Sequence, residues 1–289
     1  SDTLINIIMK NNIQHIGSLE GPLLIFGGVY SNFQALERFI KIAEAKGIPP
    51  SNIICTGDIV AYCAEPEACL QAIRAWGIHC ISGNVELQLV NDEDDCGCNF
   101  DEQSRCDLFS KNWYPFAKSN LSADSIEWLE TLPEFIQFNY GEKECLVLHG
   151  SYDNTSEFIF KSSPWASKAK VFEQLGVEVI LAGHCGIPFY DNQAGKYWLN
   201  AGVIGMPAND GATSVWFVEL NDQKGFFEFD FQNFAYDHLL AAQLMEEKDL
   251  PKAYAQTLRT GIWDNCAILP AIETQQQGIP LLVKCERQQ

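Results

Sequence analysis

Residues 23–32 read Leu-Leu-Ile-Phe-Gly-Gly-Val-Tyr-Ser-Asn, a short apolar run that leads directly into a glycine-containing loop. Four consecutive apolar residues that end at a turn signal are typical of a strand buried on both faces of a parallel sheet. Two further apolar runs, residues 53–55 and 78–81, also stop at glycine-containing loops, residues 56–58 and 82–84. The first third of the chain therefore predicts three buried strands, each followed by a loop.

Helical patterns separate these strands. Residues 33–43 repeat apolar side chains at the spacing of one helix face, and residues 65–76 form a second helical segment. Strands and helices that alternate in this way predict βαβ units with right-handed crossovers in a mainly parallel sheet.

Strands follow one another more closely in the second half of the chain. After a polar, acidic loop at residues 91–107 and a helical region at 108–131, a helix at 163–175 interrupts a series of strands predicted at residues 135–140, 144–148, 177–181, 197–199, 213–220 and 225–231. Strands without long connections between them pair in antiparallel or mixed sheets. An α/β fold with two mixed sheets packed face to face and helices outside satisfies both halves.

Both ends of the chain are predicted to be helical. Residues 1–16 combine a short apolar stretch with polar residues, lack the features of a secretory signal, and predict a short amphipathic helix. Residues 237–260 also predict helix, whereas the residues from 261 onward are poorly patterned. No uninterrupted apolar run of about 18 residues is present, so no membrane-spanning segment is expected.

The balance of charges excludes some classes of partner. The 289 residues include 38 Asp and Glu but 19 Lys and Arg, which gives a formal net charge of −19. Duplex nucleic-acid binders and polybasic membrane-binding segments need a positive surface, so neither partner is expected. A small anionic substrate remains compatible with this charge, because a bound metal ion sets the local charge of a site. The odd number of scattered cysteines, 11, predicts a reducing, cytoplasmic location.

The loops that follow the predicted strands carry side chains suited to a metal ion. Asp58, Asn84, His149 and His184 each stand in such a loop, and three of the four come directly after a glycine. Ligand sites in open α/β sheets lie at the carboxyl ends of strands. One carboxylate, one amide oxygen and two imidazoles suit Mn²⁺, Fe²⁺, Zn²⁺ or Co²⁺. Each residue alone is more often a turn, capping or packed residue, so it is the set of four that favours a metal site.

These loops resemble the motifs of the calcineurin-like metallophosphoesterases. The family pattern is Asp-x-His, Gly-Asp, Gly-Asn-His-Asp/Glu, His and Gly-His-x-His, and the corresponding segments here are residues 28–30, 57–58, 83–86, 149 and 183–186. The order and spacing of these segments are similar to those of the compact bacterial branch that includes phosphodiesterases and diadenosine tetraphosphatase-like enzymes.

The resemblance implies a fold and a division of the chain. The family fold is a four-layer α/β/β/α sandwich of two mixed sheets flanked by helices. It is expected over residues 21–235, with an N-terminal helical extension at residues 1–20 and a C-terminal helical tail at residues 236–289 packed on the same domain.

The resemblance also implies which metal ligands this chain retains. The family's second ion is held at positions that correspond to Asp58, Asn84, His149 and His184, and all four donors are present. The ligand positions of the family's first ion correspond to Gly28, Tyr30, Asp58 and Gly186. Of these, Asp58 alone keeps the family's donor, so the missing ligands all belong to the first ion. The implied cofactor is therefore one divalent transition ion, Mn, Fe, Zn or Co, at the complete set.

The predicted function follows from this asymmetry. The resemblance implies a divergent metal-dependent phosphoesterase that hydrolyses a small phosphomono- or phosphodiester, including nucleotide-type esters, with Asp58, Asn84, His149 and His184 as catalytic metal ligands. Activity is expected to be reduced, because two ions about 3.5–4 Å apart normally clamp the attacking and leaving oxygens. The family's acid histidine corresponds to Val85, which cannot donate a proton. Two alternatives stay open: an inactive protein that binds a phosphorylated ligand or a protein partner, and a structural or assembly protein.

Several other residues carry open alternatives. Tyr30 and Asn32 are candidates for substrate binding, and the Tyr30 phenol could instead bind a metal or fill space. Glu86 could orient a ligand imidazole or lie at the surface, and so could Asp153. The cysteines at 96, 98 and 106 suggest a zinc cluster, but zinc sites need four donors, which favours an ordinary flexible insert.

Overall fold

Strands and helices alternate through most of the chain in the computed structural model, which describes residues 12–283. The strands are, in chain order, β1 (Ile13–Ser18), β2 (Leu23–Phe26), β3 (Ile53–Cys55), β4 (His79–Cys80), β5 (Phe135–Tyr140), β6 (Lys143–Val147), β7 (Val179–Ala182), β8 (Phe189–Gln193), β9 (Lys196–Asn200), β10 (Val215–Asn221) and β11 (Glu228–Phe234). The helices are α1 (Phe33–Ala45), α2 (Pro66–Trp76), α3 (Asn84–Val90), α4 (Arg105–Ser119), α5 (Ala123–Leu129), α6 (Trp165–Leu175), α7 (His238–Glu247), α8 (Lys252–Thr260) and α9 (Ala271–Gln275).

The strands form two mixed sheets. The first has the order β11-β10-β2-β3-β4, in which β2, β3 and β4 run parallel and β10 is antiparallel to both of its neighbours. The second has the order β1-β5-β6-β7-β9-β8, in which β6, β7 and β9 run parallel. Every residue of β2 and β7 is buried, as expected for strands that are covered on both faces.

Three apolar clusters fill the spaces between the layers. Phe26 points from the first sheet toward the helices and packs on Phe39 of α1, with ring centroids 4.7 Å apart. Its neighbour Ile25 points the other way, into the cluster that also contains Val147 of the second sheet. Phe172 of α6 belongs to a third cluster on the outer face of that sheet. The order helices, sheet, sheet, helices confirms the predicted four-layer α/β/β/α sandwich.

The parallel strands bring the functional loops to one edge of the molecule. In the first sheet, β2, β3 and β4 lead into the loops at residues 27–32, 56–58 and 82–84, and in the second sheet β6 and β7 lead into residues 148–150 and 183–186. The carboxyl ends of neighbouring parallel strands lie at the same edge of a sheet, where ligands of open α/β folds bind. The five loops, which are far apart in the sequence, therefore lie close together in the fold.

The N-terminal helix prediction is wrong over part of its length. Residues 13–16 of that predicted helix belong to β1, which pairs in parallel with β5 and places Ile13 opposite Phe135. The predicted residues 1–11 lie outside the described residues. Ile13 and Ile16 are the half-buried positions of β1 and the other four are exposed, so this edge strand lacks the alternation that identifies a strand.

The C-terminal segment is helical, as the sequence predicts for residues 237–260. Ala242 and Met245 of α7 and Leu258 of α8 join the apolar cluster beside α1. Beyond α8 the chain returns to the edge of the sandwich that carries the functional loops, where Trp263 lies against Gly186. The division of the chain at residues 20 and 235 stays a prediction. Within residues 12–283, no helix is both long and apolar enough to cross a lipid bilayer.

Candidate metal centre

The four side chains of the complete ligand set meet around one point. His149 Nε2 lies 3.1 Å from Asn84 Oδ1, 3.2 Å from Asp58 Oδ2 and 3.2 Å from His184 Nδ1. All four residues are buried. The ligand atoms of Asp58, His149 and His184 all lie within 4.8 Å of one another, a grouping typical of metal sites. The structure thus brings together the residues that the sequence selected from four separate loops.

The backbone carbonyl of Thr56 determines the protonation of His149. His149 Nδ1 lies 2.7 Å from Thr56 O, and a carbonyl oxygen accepts only, so Nδ1 carries the proton and donates it. In the neutral imidazole, Nε2 therefore presents a lone pair toward Asp58, Asn84 and His184. A hydrogen bond from the remote nitrogen to a carbonyl is the usual way in which a protein orients a metal-binding histidine.

The Asn84 amide is oriented by the segment that follows α3. Its Nδ2 donates to Cys96 O at 2.9 Å and to Cys98 Sγ at 3.4 Å. Because the amide nitrogen is used there, the carbonyl oxygen of the same group must face His149. Cys96 and Cys98 are joined by a disulfide, so a zinc cluster that includes Cys106 is contradicted. Cys106 instead donates to Asn265 of the C-terminal segment.

The donor set fits a divalent ion. A carboxylate oxygen, an amide oxygen and the lone pair of His149 Nε2 face one another, and such atoms repel unless a proton or a cation lies between them. Oxygen and nitrogen ligands about 2.1 Å from an ion are about 3.0–3.4 Å from each other in octahedral or tetrahedral geometry, which is the separation seen around His149. The residues present could therefore hold one transition ion.

The protonation states also suit a metal ion. Burial by itself raises the pKa of Asp58, but the charge of His149 and its hydrogen bond hold that pKa below its usual range, so the carboxylate is ionised. Burial lowers the pKa of His149, but the charge of Asp58 raises it above its usual value, so Nε2 holds a proton that a bound ion would displace. Burial and the neighbouring His149 lower the pKa of His184 to about 3, which keeps its imidazole neutral. Phe158 packs over that imidazole, with ring centroids 4.2 Å apart, and limits its rotation.

Glu86 holds the backbone of the loops that carry Asp58 and Asn84. Its buried carboxylate accepts the backbone N–H groups of Asp58 at 2.8 Å, Val60 at 3.1 Å and Gly83 at 2.8 Å. Burial and the charge of Asp58 raise the pKa of Glu86 to about 7. Of the two residues proposed to orient a ligand, Glu86 thus holds the Asp58 loop rather than an imidazole, whereas Asp153 pairs with Lys170 at the surface.

Several backbone conformations at the centre are strained. Tyr30, Asp58 and His184 have φ angles of 54°, 55° and 64°, in the left-handed region that non-glycine residues rarely adopt. Such conformations cost about 1–3 kcal/mol each and cluster at functional sites. Gly83 makes the tight arrangement possible, because a Cβ atom there would collide with the Asp58 carboxylate.

Aromatic rings occupy the positions where the resemblance places the first ion. A Cβ atom added to Gly28 would lie 2.5 Å from Cε1 of Tyr30 and 2.8 Å from Cγ1 of Val203, so the Tyr30 ring fills the space of a side chain at position 28. Gly186 has φ of 77°, and a Cβ there would be 3.4 Å from the indole of Trp263. Trp263 is held by its Nε1, which donates to Pro207 O at 2.8 Å.

The loops and the C-terminal segment line a cavity of ≈ 80 Å³ next to Asp58 and His184. Its lining includes residues that the sequence analysis did not select, because they come from α8, from the segment after it and from the acidic insertion: Phe100, Tyr254, Trp263, Asp264 and Ile268. The stretch beyond residue 261 has no periodic pattern, so the sequence did not indicate its contact with the loop at Gly186, some 75 positions earlier in the chain. The folded structure is what reveals this contact.

The two predicted substrate residues have different surroundings. Tyr30 lines the cavity, and its role in substrate binding stays a prediction. Asn32 instead uses its whole amide within the protein: Nδ2 donates to Gly205 O and to the Tyr236 hydroxyl, and Oδ1 accepts from Ala35 N at the start of α1. Asn32 is a helix cap, and the structure does not support its predicted substrate contact. Val85, at the position of the family's acid histidine, packs in the apolar cluster.

Comparison with known families decides the assignment. The family model of the calcineurin-like phosphoesterase superfamily domain matches residues 23–223, more than half of the chain. The chain belongs to the calcineurin-like phosphoesterase superfamily. The family description names a phosphoesterase, a hydrolase that acts on phosphoester bonds, and the matched residues contain every loop of the candidate centre.

One sequence relative and two solved structures are similar to this phosphoesterase. An uncharacterized protein of Methanocaldococcus jannaschii is 22% identical over 258 residues, which cover 84% of this chain and 99% of the relative. The crystal structure of a metallophosphoesterase from Sphaerobacter thermophilus has a TM-score of 0.65 at 22% identity and covers 84% of this chain and 100% of that one. A putative diadenosine tetraphosphatase has a TM-score of 0.50 at 13% identity and covers 78% of this chain and 98% of its own.

Proposed function

We propose that this chain is a metal-dependent phosphoesterase that works with a single divalent ion held by Asp58, Asn84, His149 and His184. The observation that supports the proposal is the convergence of the lone pairs of Asn84 Oδ1 and Asp58 Oδ2 on His149 Nε2, at 3.1 and 3.2 Å. Membership of the phosphoesterase superfamily supplies the reaction class. The ionised, buried carboxylate of Asp58 gives the centre a negative charge that a divalent ion would balance.

A bound ion would lower the pKa of a coordinated water and polarise a phosphoryl oxygen. The protein's own part is to hold the ligands and to position the substrate. Asp58 Oδ1 accepts from Val85 N, the Asn84 amide is oriented by its donation to Cys96 and Cys98, and His149 is fixed through Thr56. Burial raises the pKa of Tyr30 well above its usual range, so its phenol stays protonated and can donate a hydrogen bond to a phosphoryl oxygen.

Turnover slower than that of two-metal relatives is part of the proposal. Tyr30 fills the space beside Gly28, and Trp263 covers Gly186, so the side chains that would hold a second ion are replaced by aromatic rings. With Val85 in the apolar cluster, a general-acid contribution of about 10²–10⁴-fold is also absent.

Element analysis and a hydrolysis assay test the proposal together. We expect one transition ion per chain after loading with Mn²⁺, and slow hydrolysis of bis(p-nitrophenyl) phosphate that requires that ion. His149→Gln should lose both the ion and the activity, whereas His15→Gln, which changes an exposed histidine on β1, should keep both. Loss of the ion without loss of hydrolysis, or retention of the ion by His149→Gln, would contradict the assignment.

A second candidate is a protein on the same scaffold that binds a phosphorylated ligand without turnover. The aromatic filling of the positions around Gly28 and Gly186 favours it. The same assay separates the two candidates, because retention of one ion with no hydrolysis of any phosphoester would support the binding protein. In either case we propose a small phosphorylated molecule as the partner.

A further inference from the structure

The chemistry of the cavity beside the centre restricts what can enter it. Six aromatic side chains contribute to its lining, together with the apolar Val203 and Met206: Tyr30, Tyr62, Phe100, Phe158, Tyr254 and Trp263. Aromatic and apolar walls stabilise organic groups of the same kind through burial of apolar surface. The walls that face a bound phosphoester would thus favour an apolar or aromatic substituent.

The charges around the cavity act against polyanions. Among the described residues, the lining contains no lysine or arginine, and its two charged members are the acids Asp58 and Asp264. Arg105 pairs with Asp264, with Nη2 2.7 Å from Oδ1, and packs over Phe109, so its charge already has a partner. One divalent ion at the centre could balance one phosphoryl group. A further phosphate would face aromatic rings and an Asp264 carboxylate that already occupies Arg105.

The size of the cavity gives a second restriction. At ≈ 80 Å³ it is far smaller than the roughly 300–1,000 Å³ of pockets for drug-sized ligands. Trp263 forms one wall and is fixed at two points: Nε1 donates to Pro207 O, and the backbone N donates to Asn209 Oδ1, both at 2.8 Å. A nucleoside would need this wall to move.

We propose that the site takes a phosphoester with a single phosphoryl group and a small apolar or aromatic substituent, and that it excludes nucleoside polyphosphates. This inference rests on the proposed function and names its substrate class. It separates this chain from a diadenosine tetraphosphatase, whose substrate carries four phosphates and two nucleosides.

Two diesters with the same leaving group test the inference. Methyl p-nitrophenyl phosphate and thymidine 5′-(p-nitrophenyl phosphate) both carry one negative charge and release p-nitrophenol, so they differ in the retained group alone. We expect kcat/KM with the Mn²⁺-loaded protein to be at least about tenfold higher for the methyl ester. Trp263→Ala should narrow this ratio by opening the wall, and Trp263→Phe, which keeps a ring, should preserve it. A preference for the thymidine ester would overturn the inference while leaving the proposed function intact.

Calorimetry gives a readout that does not depend on turnover. The Mn²⁺-loaded protein should bind phenyl phosphate at least about tenfold more tightly than ADP, because the second phosphate of ADP would lie near like charge. If phenyl phosphate binds more tightly than ADP but no ester is hydrolysed, the proposed function fails and the inference stands. If ADP binds as tightly as phenyl phosphate, or if neither binds, the inference fails.

Discussion

The ring of Tyr30 occupies the space into which a side chain at position 28 would project, since a Cβ atom on Gly28 would lie 2.5 Å from Cε1 and 2.7 Å from Cζ of that ring. The two positions are therefore coupled: an acid at 28 and a tyrosine at 30 cannot coexist without rearrangement. This relationship explains why Gly28 and Tyr30 both differ from the Asp-x-His pattern of the family. The ring of Tyr30 packs in the space that the aspartate ligand of the first ion would otherwise occupy.

Restoring the acid alone should destabilise the protein. Gly28→Asp forces its side chain against Tyr30 and against Val203, and places a carboxylate in a buried space. We expect a loss of about 2–4 kcal/mol in the free energy of unfolding, from overpacking and unpaired burial of a polar group. Urea unfolding measures it. The double variant Gly28→Asp/Tyr30→Ala should recover part of the loss, and equal losses in the single and double variants would contradict the coupling.

The candidate site illustrates what sequence can predict. Strands β3, β4 and β7 lie in short, mostly apolar runs that stop at loops, so the positions of Asp58, Asn84 and His184 at the carboxyl ends of strands followed from pattern and topology. The strands that escaped notice are edge strands: β1 has two half-buried positions among six, and β8 contains Asp191 and Asn192, which disfavour strands.

The walls of the cavity could not be predicted in this way. Trp263 reaches Gly186 from a stretch with no periodic pattern, and its position depends on hydrogen bonds to Pro207 and Asn209 rather than on local propensity. The disulfide of Cys96 and Cys98 is likewise a matter of tertiary placement, because connectivity does not follow from cysteine spacing alone.

Glu86 should matter for metal binding although it is not a ligand. Glu86→Gln replaces one carboxylate oxygen by an N–H group that faces the backbone N–H donors of the Asp58 loop, so at least one hydrogen bond is lost. Changes to such supporting residues typically cost about 10–100-fold in metal affinity, which Mn²⁺ titration by calorimetry would measure. Glu127→Gln, on an exposed face of α5, is the matched control. An unchanged Mn²⁺ affinity in Glu86→Gln would argue that the loop holds its shape without this carboxylate.

The disulfide should also influence the metal centre, because it borders the amide of Asn84. Cys98→Ser removes the disulfide and the sulfur that accepts from Asn84 Nδ2, and loosens the segment whose Cys96 carbonyl accepts the same group. We expect the affinity for Mn²⁺ to fall about tenfold and treatment of the wild type with dithiothreitol to lower it as well. Cys266→Ser, at a half-buried free thiol, serves as the control. If Cys98→Ser binds Mn²⁺ like the wild type, the Cys96–Cys98 segment does not position Asn84.

A bound ion should stabilise the folded chain. An ion that binds the folded state alone adds about 2.7 kcal/mol at a concentration one hundred times its Kd, and each kcal/mol raises the Tm of a domain of this size by about 2–4 °C. Mn²⁺ should therefore raise the Tm of the wild type by about 5–10 °C, and chelation should reverse the shift. Mg²⁺ should give a smaller shift, because imidazole ligands suit transition ions better than Mg²⁺. His149→Gln should show no Mn²⁺ response while His15→Gln responds like the wild type; a Mn²⁺ shift that survives in His149→Gln would place the ion elsewhere in the protein.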